Sequence, residues 1–449
     1  MSTASSRGRR LGASVALSTL IAGSLLIAAP AQAATYSISG TVTIPDDAPA
    51  DWLADLQVDA ISTADGSVTY VDVDPVTGAY TIELDAAGQY EVAFYDAGYW
   101  DEDTWIQHNL ATTWWPGTLS RDASAPLTVD GVETGIDADL QYGLTVSGTV
   151  TAPTATDPDW WWYSYVYAQT TDGSSWGYAQ VDAATGAYTL VGLNPGETGI
   201  EFGTDIDAPM IDGKQFATEY WGDALKPWQS ELIDLTGDIA GIDVDLVTVP
   251  YLTDVHWDPE SPVYSAFDTE IRWLAAAGIT TGYAHADGTA EFRPQGTVTR
   301  DAMAAFLYRF AGSPKVTLPS TSPFVDVKPS HPFYKEIVWL SKSKISTGWT
   351  VGGKKEFRPS ATITRDAMAA FLFRYAGSPD WWQAPTRSPF SDVKTTTPFY
   401  SEITWLAEMG ISSGWTVSGK QQFRPLANIK RDAMAAFLYR YDDLEWFLS

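Results

Sequence analysis

Cysteine is absent from all 449 residues, so disulfides, thiolate zinc sites and cysteine nucleophiles are excluded. Histidine is scarce: His108, His256, His285 and His331 are widely spaced, and no His-Glu-x-x-His pattern gathers them around a metal. Neither a Gly-x-Ser-x-Gly elbow nor a Gly-rich phosphate loop occurs. The expected catalytic residues, metal ligands and cofactors are therefore none, and the chain does not read as an enzyme. Basic residues nearly vanish between positions 35 and 250, where Arg121, Lys214 and Lys226 face 36 acids. That imbalance repels nucleic-acid phosphates and anionic lipid, and excludes both as partners of this half. Asp72 and Asp74 stand where a calcium ion would find two carboxylates, and equally where a turn is made.

Long apolar runs are missing too, except at the start. Arg7, Arg9 and Arg10 precede a stretch from Leu11 to Ala29, and Ala31-Gln32-Ala33 supplies a small-residue cleavage pattern. Residues 1–34 therefore read as a secretory signal. No later segment approaches the ~20 apolar residues of a membrane span, so no span is expected after signal cleavage.

The C-terminal region repeats itself. Glu270-Ile271, Glu336-Ile337 and Glu402-Ile403 open matching segments, each with a Trp two residues on (Trp273, Trp339, Trp405). Gly282, Gly348 and Gly414 follow, then Phe292-Arg293-Pro294, Phe357-Arg358-Pro359 and Phe423-Arg424-Pro425. Each unit closes with Arg-Asp-Ala-Met-Ala-Ala-Phe-Leu, beginning at Arg300, Arg365 and Arg431. Apolar residues at helical spacing predict two helices per unit, joined by a loop that contains the proline. One such pair buries too little to fold alone, so three units must share interfaces.

This pattern, over residues 251–441 (about 251–312, 324–377 and 390–441), resembles the S-layer-homology family. The Asp-Val starts at Asp254, Asp326 and Asp392, the Gly-aromatic pairs and the Phe-Arg-Pro loops carry the likeness. The resemblance implies a helical three-repeat trefoil whose grooves bind an anionic secondary cell-wall polysaccharide. It implies polymer-binding roles for Asp254, Asp326, Asp392, Gly282, Gly348, Gly414, Tyr283, Trp349, Trp415, Arg300, Arg365 and Arg431. The family's Thr-Arg-Ala-Glu signature is altered here to Thr299-Arg300-Asp301-Ala302 and Thr364-Arg365-Asp366-Ala367. In the third repeat it becomes Lys430-Arg431-Asp432-Ala433.

The residues support that reading. An Arg at a helix start joins backbone N–H donors, the positive end of the dipole and a guanidinium fork, which suits a carboxylate. Alternatively, each Arg only pairs with the Asp that opens a repeat. Loss of the Glu removes the reciprocal capping-box bond, and Lys430 should leave the third helix start the least well capped. Trp273, Trp339 and Trp405 read as core. Trp349, Trp415 and Tyr283, beside loop glycines, read as stacking platforms.

Residues 35–250 repeat as well. Ser-Gly-Thr-Val-Thr recurs at Ser39 and Ser147, and Asp-x-x-Thr-Gly-Ala-Tyr-Thr at Asp74 and Asp182. Short alternating runs cut by Gly, Pro and Asp predict two β-sandwich modules, 35–142 and 143–250. They resemble carboxypeptidase-regulatory-like and collagen-adhesin B-type sandwiches, a fold shared with starch-binding modules. Aromatic clusters stand out at Trp114, Trp115, Trp160, Trp161 and Trp162. Consecutive Trp must point to both faces of a strand, so some either pack on a neighbouring module or stack on a glycan.

The expected protein is thus multidomain: two all-β sandwich modules followed by an α-helical three-repeat trefoil. It is exported, held non-covalently on a bacterial cell wall, and carries an acidic head that binds other glycans or surface proteins. Two other readings stay open, an accessory or enzyme of extracellular polysaccharide degradation and a structural subunit of a surface layer.

Overall fold

The computed structural model describes residues 36–101, 104–152, 163–204 and 213–448, without the side chains of 445–448. The expected signal at 1–34 and Trp160, Trp161 and Trp162 lie outside the described residues.

Each N-terminal module is a pair of facing sheets. In the first, Tyr36–Thr43 pairs antiparallel with Ala79–Leu84 and parallel with Val132–Thr134 and Ala138–Asp139. The opposing sheet runs Val68–Asp72, Leu56–Ser62, Gly88–Asp96, and the last strand also pairs with Thr113–Trp114 and Leu127–Val129. The second module repeats this order. Leu144–Thr151 pairs with Ala187–Leu193, Ile239–Ala240 and Val244–Asp245, and faces the sheet Trp176–Gln180, Ser164–Thr170, Gly196–Thr204. The alternating side chains dictate the cores: Ile38, Val58, Ile82 and Phe94 meet in one, Val146, Val166, Leu190 and Phe202 in the other.

The repeated Asp-x-x-Thr-Gly segment is a turn in both modules. Asp74 accepts from the N–H groups of Val76 and Thr77 and from the Thr77 hydroxyl, and Asp182 does the same with Ala184 and Thr185. These bonds hold both carboxyls below their ordinary range. Asp74 is thereby committed to its turn.

The modules are bonded to each other through main chain and side chain. The Asn194 amide donates to Thr112 O and Leu119 O, Gly192 N–H donates to Asn109 Oδ1, and Arg121 N–H donates to Ser174 Oγ. An added hairpin, Tyr99–Asp101 with Thr104–Ile106, lays Trp100 and Trp105 against Tyr178 of the second module.

The C-terminal region contains helices α1 (Asp268–Ala276), α2 (Arg300–Phe310), α3 (Tyr334–Lys342), α4 (Arg365–Tyr375), α5 (Tyr400–Glu408) and α6 (Arg431–Leu448). A two-stranded hairpin separates the helices of each repeat. Helix α2 packs on α3, α4 on α5, and α6 returns to α1. The three repeats therefore close into a ring. At its centre Val298 N–H donates to Ile429 O, Ile429 N–H to Ile363 O, and Ile363 N–H to Val298 O. One apolar core, with Trp273, Trp339 and Trp405 buried in it, runs through all three repeats. None of the helices among the described residues is long and apolar enough to cross a membrane.

Candidate functional site at the repeat junctions

Each junction joins the second helix of one repeat to the hairpin of the next. Arg300 at the start of α2 reaches into the second repeat, where its Nε donates to Phe357 O at 2.9 Å and its Nη2 to Ser346 Oγ at 3.0 Å. Arg365 repeats this on Phe423 O and Ser412 Oγ. Arg431 closes the ring onto the first repeat, donating to Phe292 O at 2.6 Å. No more than 6 % of any of these three arginines is exposed. Burial pushes each guanidinium below its ordinary value, and the adjoining Arg358, Arg424 or Arg293 pushes the same way.

At every junction an aromatic ring has two cations near its centroid. Trp349 has Arg300 at 4.3 Å and Arg358 at 4.7 Å from its ring centroid. Trp415 has Arg365 at 4.3 Å and Arg424 at 4.6 Å. Tyr283 has Arg431 at 5.1 Å and Arg293 at 4.0 Å. All three rings remain exposed, and each contact is the attraction of a cation for a π face.

The glycines and aspartates build this frame. Gly348 and Gly414 have φ of 71° and 72°, and an added Cβ would stand 2.3 Å from the carbonyl oxygen of Glu356 or Gln422. They let the hairpin strands close and so place Trp349 and Trp415; Gly282 does this for Tyr283. Asp326 accepts from the N–H groups of Phe357 and Arg358, and Asp392 and Asp254 take the matching pairs, Phe423 with Arg424 and Phe292 with Arg293. Those bonds hold Arg293, Arg358 and Arg424 in left-handed backbone, φ 56–60°, which side chains other than glycine adopt at a cost.

Three sequence expectations are corrected here. The Asp carboxylates bind backbone of the Phe-Arg segments and are not the salt-bridge partners of Arg300 and its equivalents. The helix-start N–H groups are not open to a ligand, because Arg300 and Asp301 donate theirs to Ala361 O and Pro359 O of the next repeat. Nor is the third start poorly capped. Arg431 and Asp432 donate to Gly296 O and Pro294 O, and Ala433 N–H to Asp432, as Ala302 does to Asp301. Thr299 and Thr364 turn their hydroxyls to Asp301 and Asp366 and make no cap bond, so Lys430 forfeits none. Lys430 Nζ instead bonds Gln295, whose amide donates to Asp432. Signals for Ser346 and Ser412 were present as Ser-Thr-Gly and Ser-Ser-Gly ahead of the second and third hairpins, but their pairing with an Arg of another repeat was not.

In the head, Trp114 is packed between the modules, where its indole N–H donates to Ser174 O at 2.8 Å, and Arg121 covers the ring. This is the packing alternative, and it leaves Trp114 no free face for a glycan. Trp115 is half-buried against the first module's core.

The three helix–hairpin–helix units thus close into a ring, and every junction sets a buried Arg against an exposed aromatic ring. Residues 261–304, 323–369 and 389–435 match the S-layer homology domain, so the chain carries three such domains in its C-terminal half. They mark it as a bacterial cell-surface protein. No curated protein matches the chain. Among solved structures it is similar to a type II cohesin–X–dockerin complex from Acetivibrio cellulolyticus, at 11% identity over 25% of this chain and 62% of that one, TM-score 0.16. It thus spans less than two thirds of that relative. It is also similar to a shaft pilin from Lactobacillus rhamnosus (11% identity, 48% of this chain and 98% of that one, TM-score 0.17) and to the minor pilin of Streptococcus agalactiae (10%, 51% and 99%, TM-score 0.19).

Proposed function

We propose that the trefoil holds this exported protein non-covalently on an anionic polysaccharide of the bacterial cell wall, leaving the acidic sandwiches outward as a non-catalytic binding head. The observation that carries this is the set of buried guanidinium groups of Arg300, Arg365 and Arg431. Each bonds to neutral carbonyl or hydroxyl oxygens and lies against an exposed aromatic ring. A desolvated cation with neutral partners gains most from an anion, and the ring beside it offers a sugar a flat apolar face. Three such grooves on one polymer would reinforce one another by effective concentration.

The test is sedimentation of the chain with native walls and with walls stripped of polysaccharide by mild acid. Retention on native walls and release from stripped ones is the expected result. Equal sedimentation with both would assign the attachment elsewhere. Soluble starch, glucan and xylan should yield no reducing sugar on incubation with the clean protein.

A further inference from the structure

A second site lies on the head. The outer face of the second module's five-stranded sheet carries Trp176, Tyr178, Tyr165 and Tyr167 on neighbouring strands, with Tyr165 stacked on Tyr178 and Tyr167 on Trp176. The hairpin of module one covers this wall at Tyr178 and Trp176. Its other side is open. Between Tyr167 and the loop through Pro227, Ser230 and Leu232 runs a cleft of about 320 Å³. That is near the lower end of the roughly 300–1,000 Å³ of small-molecule sites.

Gly199 is the telling residue. It lies inside Gly196–Thr204, opposite Gln169, where glycine weakens a strand. Its φ is not positive, and an added Cβ would meet only Leu232 Cδ2, at an ordinary 3.8 Å. Neither backbone nor packing requires a glycine there. Gly203, four residues on, is the contrast, since its Cβ would strike the Tyr165 ring at 2.6 Å. What glycine at 199 supplies is empty space over the strand, beside an aromatic ring.

The lining chemistry narrows the occupant. Glu201, in the cleft, accepts from Tyr165 Oη at 2.9 Å and so has a fixed orientation. Burial holds its carboxyl above the ordinary range, while the hydrogen bonds of Tyr165 and Tyr220 oppose this. Gln169, Thr171 and Ser230 add amide and hydroxyl groups, and no Lys or Arg among the described residues lines the cleft. An anion finds no partner there. A neutral polyhydroxyl ring finds a rigid aromatic face, oriented acceptors and room to approach the backbone.

We propose that this cleft binds an uncharged hexose unit of a glycan, stacked on Tyr167 over Gly199 and hydrogen-bonded to Glu201 and Gln169. The proposal rests on the reading of the head as a binding module and gives that reading a site and a ligand class.

The experiment is titration calorimetry of the full chain with maltohexaose, cellohexaose and chitohexaose, repeated on Gly199→Val. Valine suits a strand and has space for its Cβ, so the variant should melt no lower than the parent. It should nevertheless lose affinity by about tenfold or more, because its side chain fills the cleft. Tyr167→Ala should weaken the same sugar. Unchanged affinity in Gly199→Val, or no heat with any of the three oligosaccharides, overturns the proposal, as does preferential binding of choline or a lysine peptide. Wall sedimentation of Gly199→Val should match the parent. Loss of that sedimentation in the parent itself would sink the anchor reading and leave this site standing.

Discussion

Lys226 Nζ lies 2.6 Å from Asp443 Oδ1, a residue 217 positions further along the chain. Asp442 is at 2.8 Å, Tyr439 O accepts a third bond, and the side chain has no exposed surface. The rings of Tyr439, Trp273 and Trp228 lie 3.9, 4.5 and 5.7 Å from the ammonium. One lysine of the head is thus saturated by the last helix of the trefoil. Next to it, Ala217 and Val249 of the head pack on Ala275 of α1.

Replacing Lys226 by Met should uncouple the two halves. The methylene packing survives, but Asp442 and Asp443 lose their counter-charge at the interface. A loss of about 3 kcal/mol is expected, since breaking a buried pair removes compensation from both sides, with partial relief because both acids retain some exposure. Calorimetry should show one transition in the parent and two in the variant. A single transition at the parent temperature would make the contact incidental.

Arg358→Gly and Arg424→Gly separate stability from binding. Glycine accepts the left-handed backbone that Arg tolerates at a cost, so each variant should gain about 0.5 kcal/mol or more after the unfolded-state entropy of glycine is allowed for. Each also removes one of the two cations flanking Trp349 or Trp415. Higher melting temperature with weaker retention on walls is the expected pair of results. Lower melting would show that the guanidinium contributes more to the hairpin than its backbone costs.

Arg300→Lys, Arg365→Lys and Arg431→Lys should each weaken binding of a soluble wall-polysaccharide fragment, by about 1.5–3 kcal/mol per groove where a charge-assisted fork is lost. The three effects should be comparable, because the N–H groups at all three helix starts are satisfied in the same way. A much smaller effect at Arg431 would trace to Tyr283 replacing Trp in that groove. Full retention by all three would make the arginines framework residues.

The head should gain stability on mild acidification. Burial raises the carboxyls of Asp59, Asp96, Glu201 and Glu219 above their ordinary values, near 3.8 for Asp and 4.5 for Glu. A raised folded-state value means that the folded chain holds the proton more tightly. The stabilisation is complete below the unfolded value and is lost as pH rises through the folded one. Asp74 and Asp182 act oppositely, but lose their contribution only below 3.8. Melting temperature should therefore rise between pH 7.5 and about 4.5. Glu201→Gln should flatten that rise, and a monotonic fall over the interval would contradict it.

Much of this was readable from the residues alone. The 65–66-residue period of the Trp, Gly and Phe-Arg-Pro positions dictates three equivalent units, and the twice-used Asp-x-x-Thr-Gly-Ala-Tyr-Thr dictates two equivalent sandwiches. What escaped was whatever depends on partners distant in sequence. Nothing near Arg300 says that Ala361 and Pro359 will take its helix-start N–H groups, so an open helix terminus was the natural expectation. Lys226, alone among acids, resembles a solvated surface charge until α6 comes round to cover it. For Trp114 the sequence left packing and glycan stacking both open, because the atom its indole meets, Ser174 O, belongs to another module.

The closed ring at Val298, Ile363 and Ile429 also changes how the number of Arg–aromatic junctions scales with length. Every junction borrows its arginine from one repeat and its aromatic hairpin from the next, and the third is completed only when α6 returns to α1. Three units in a circle therefore make three junctions, whereas two units in a row would make one. Losing a single repeat removes two of the three Arg–aromatic junctions along with a third of the module.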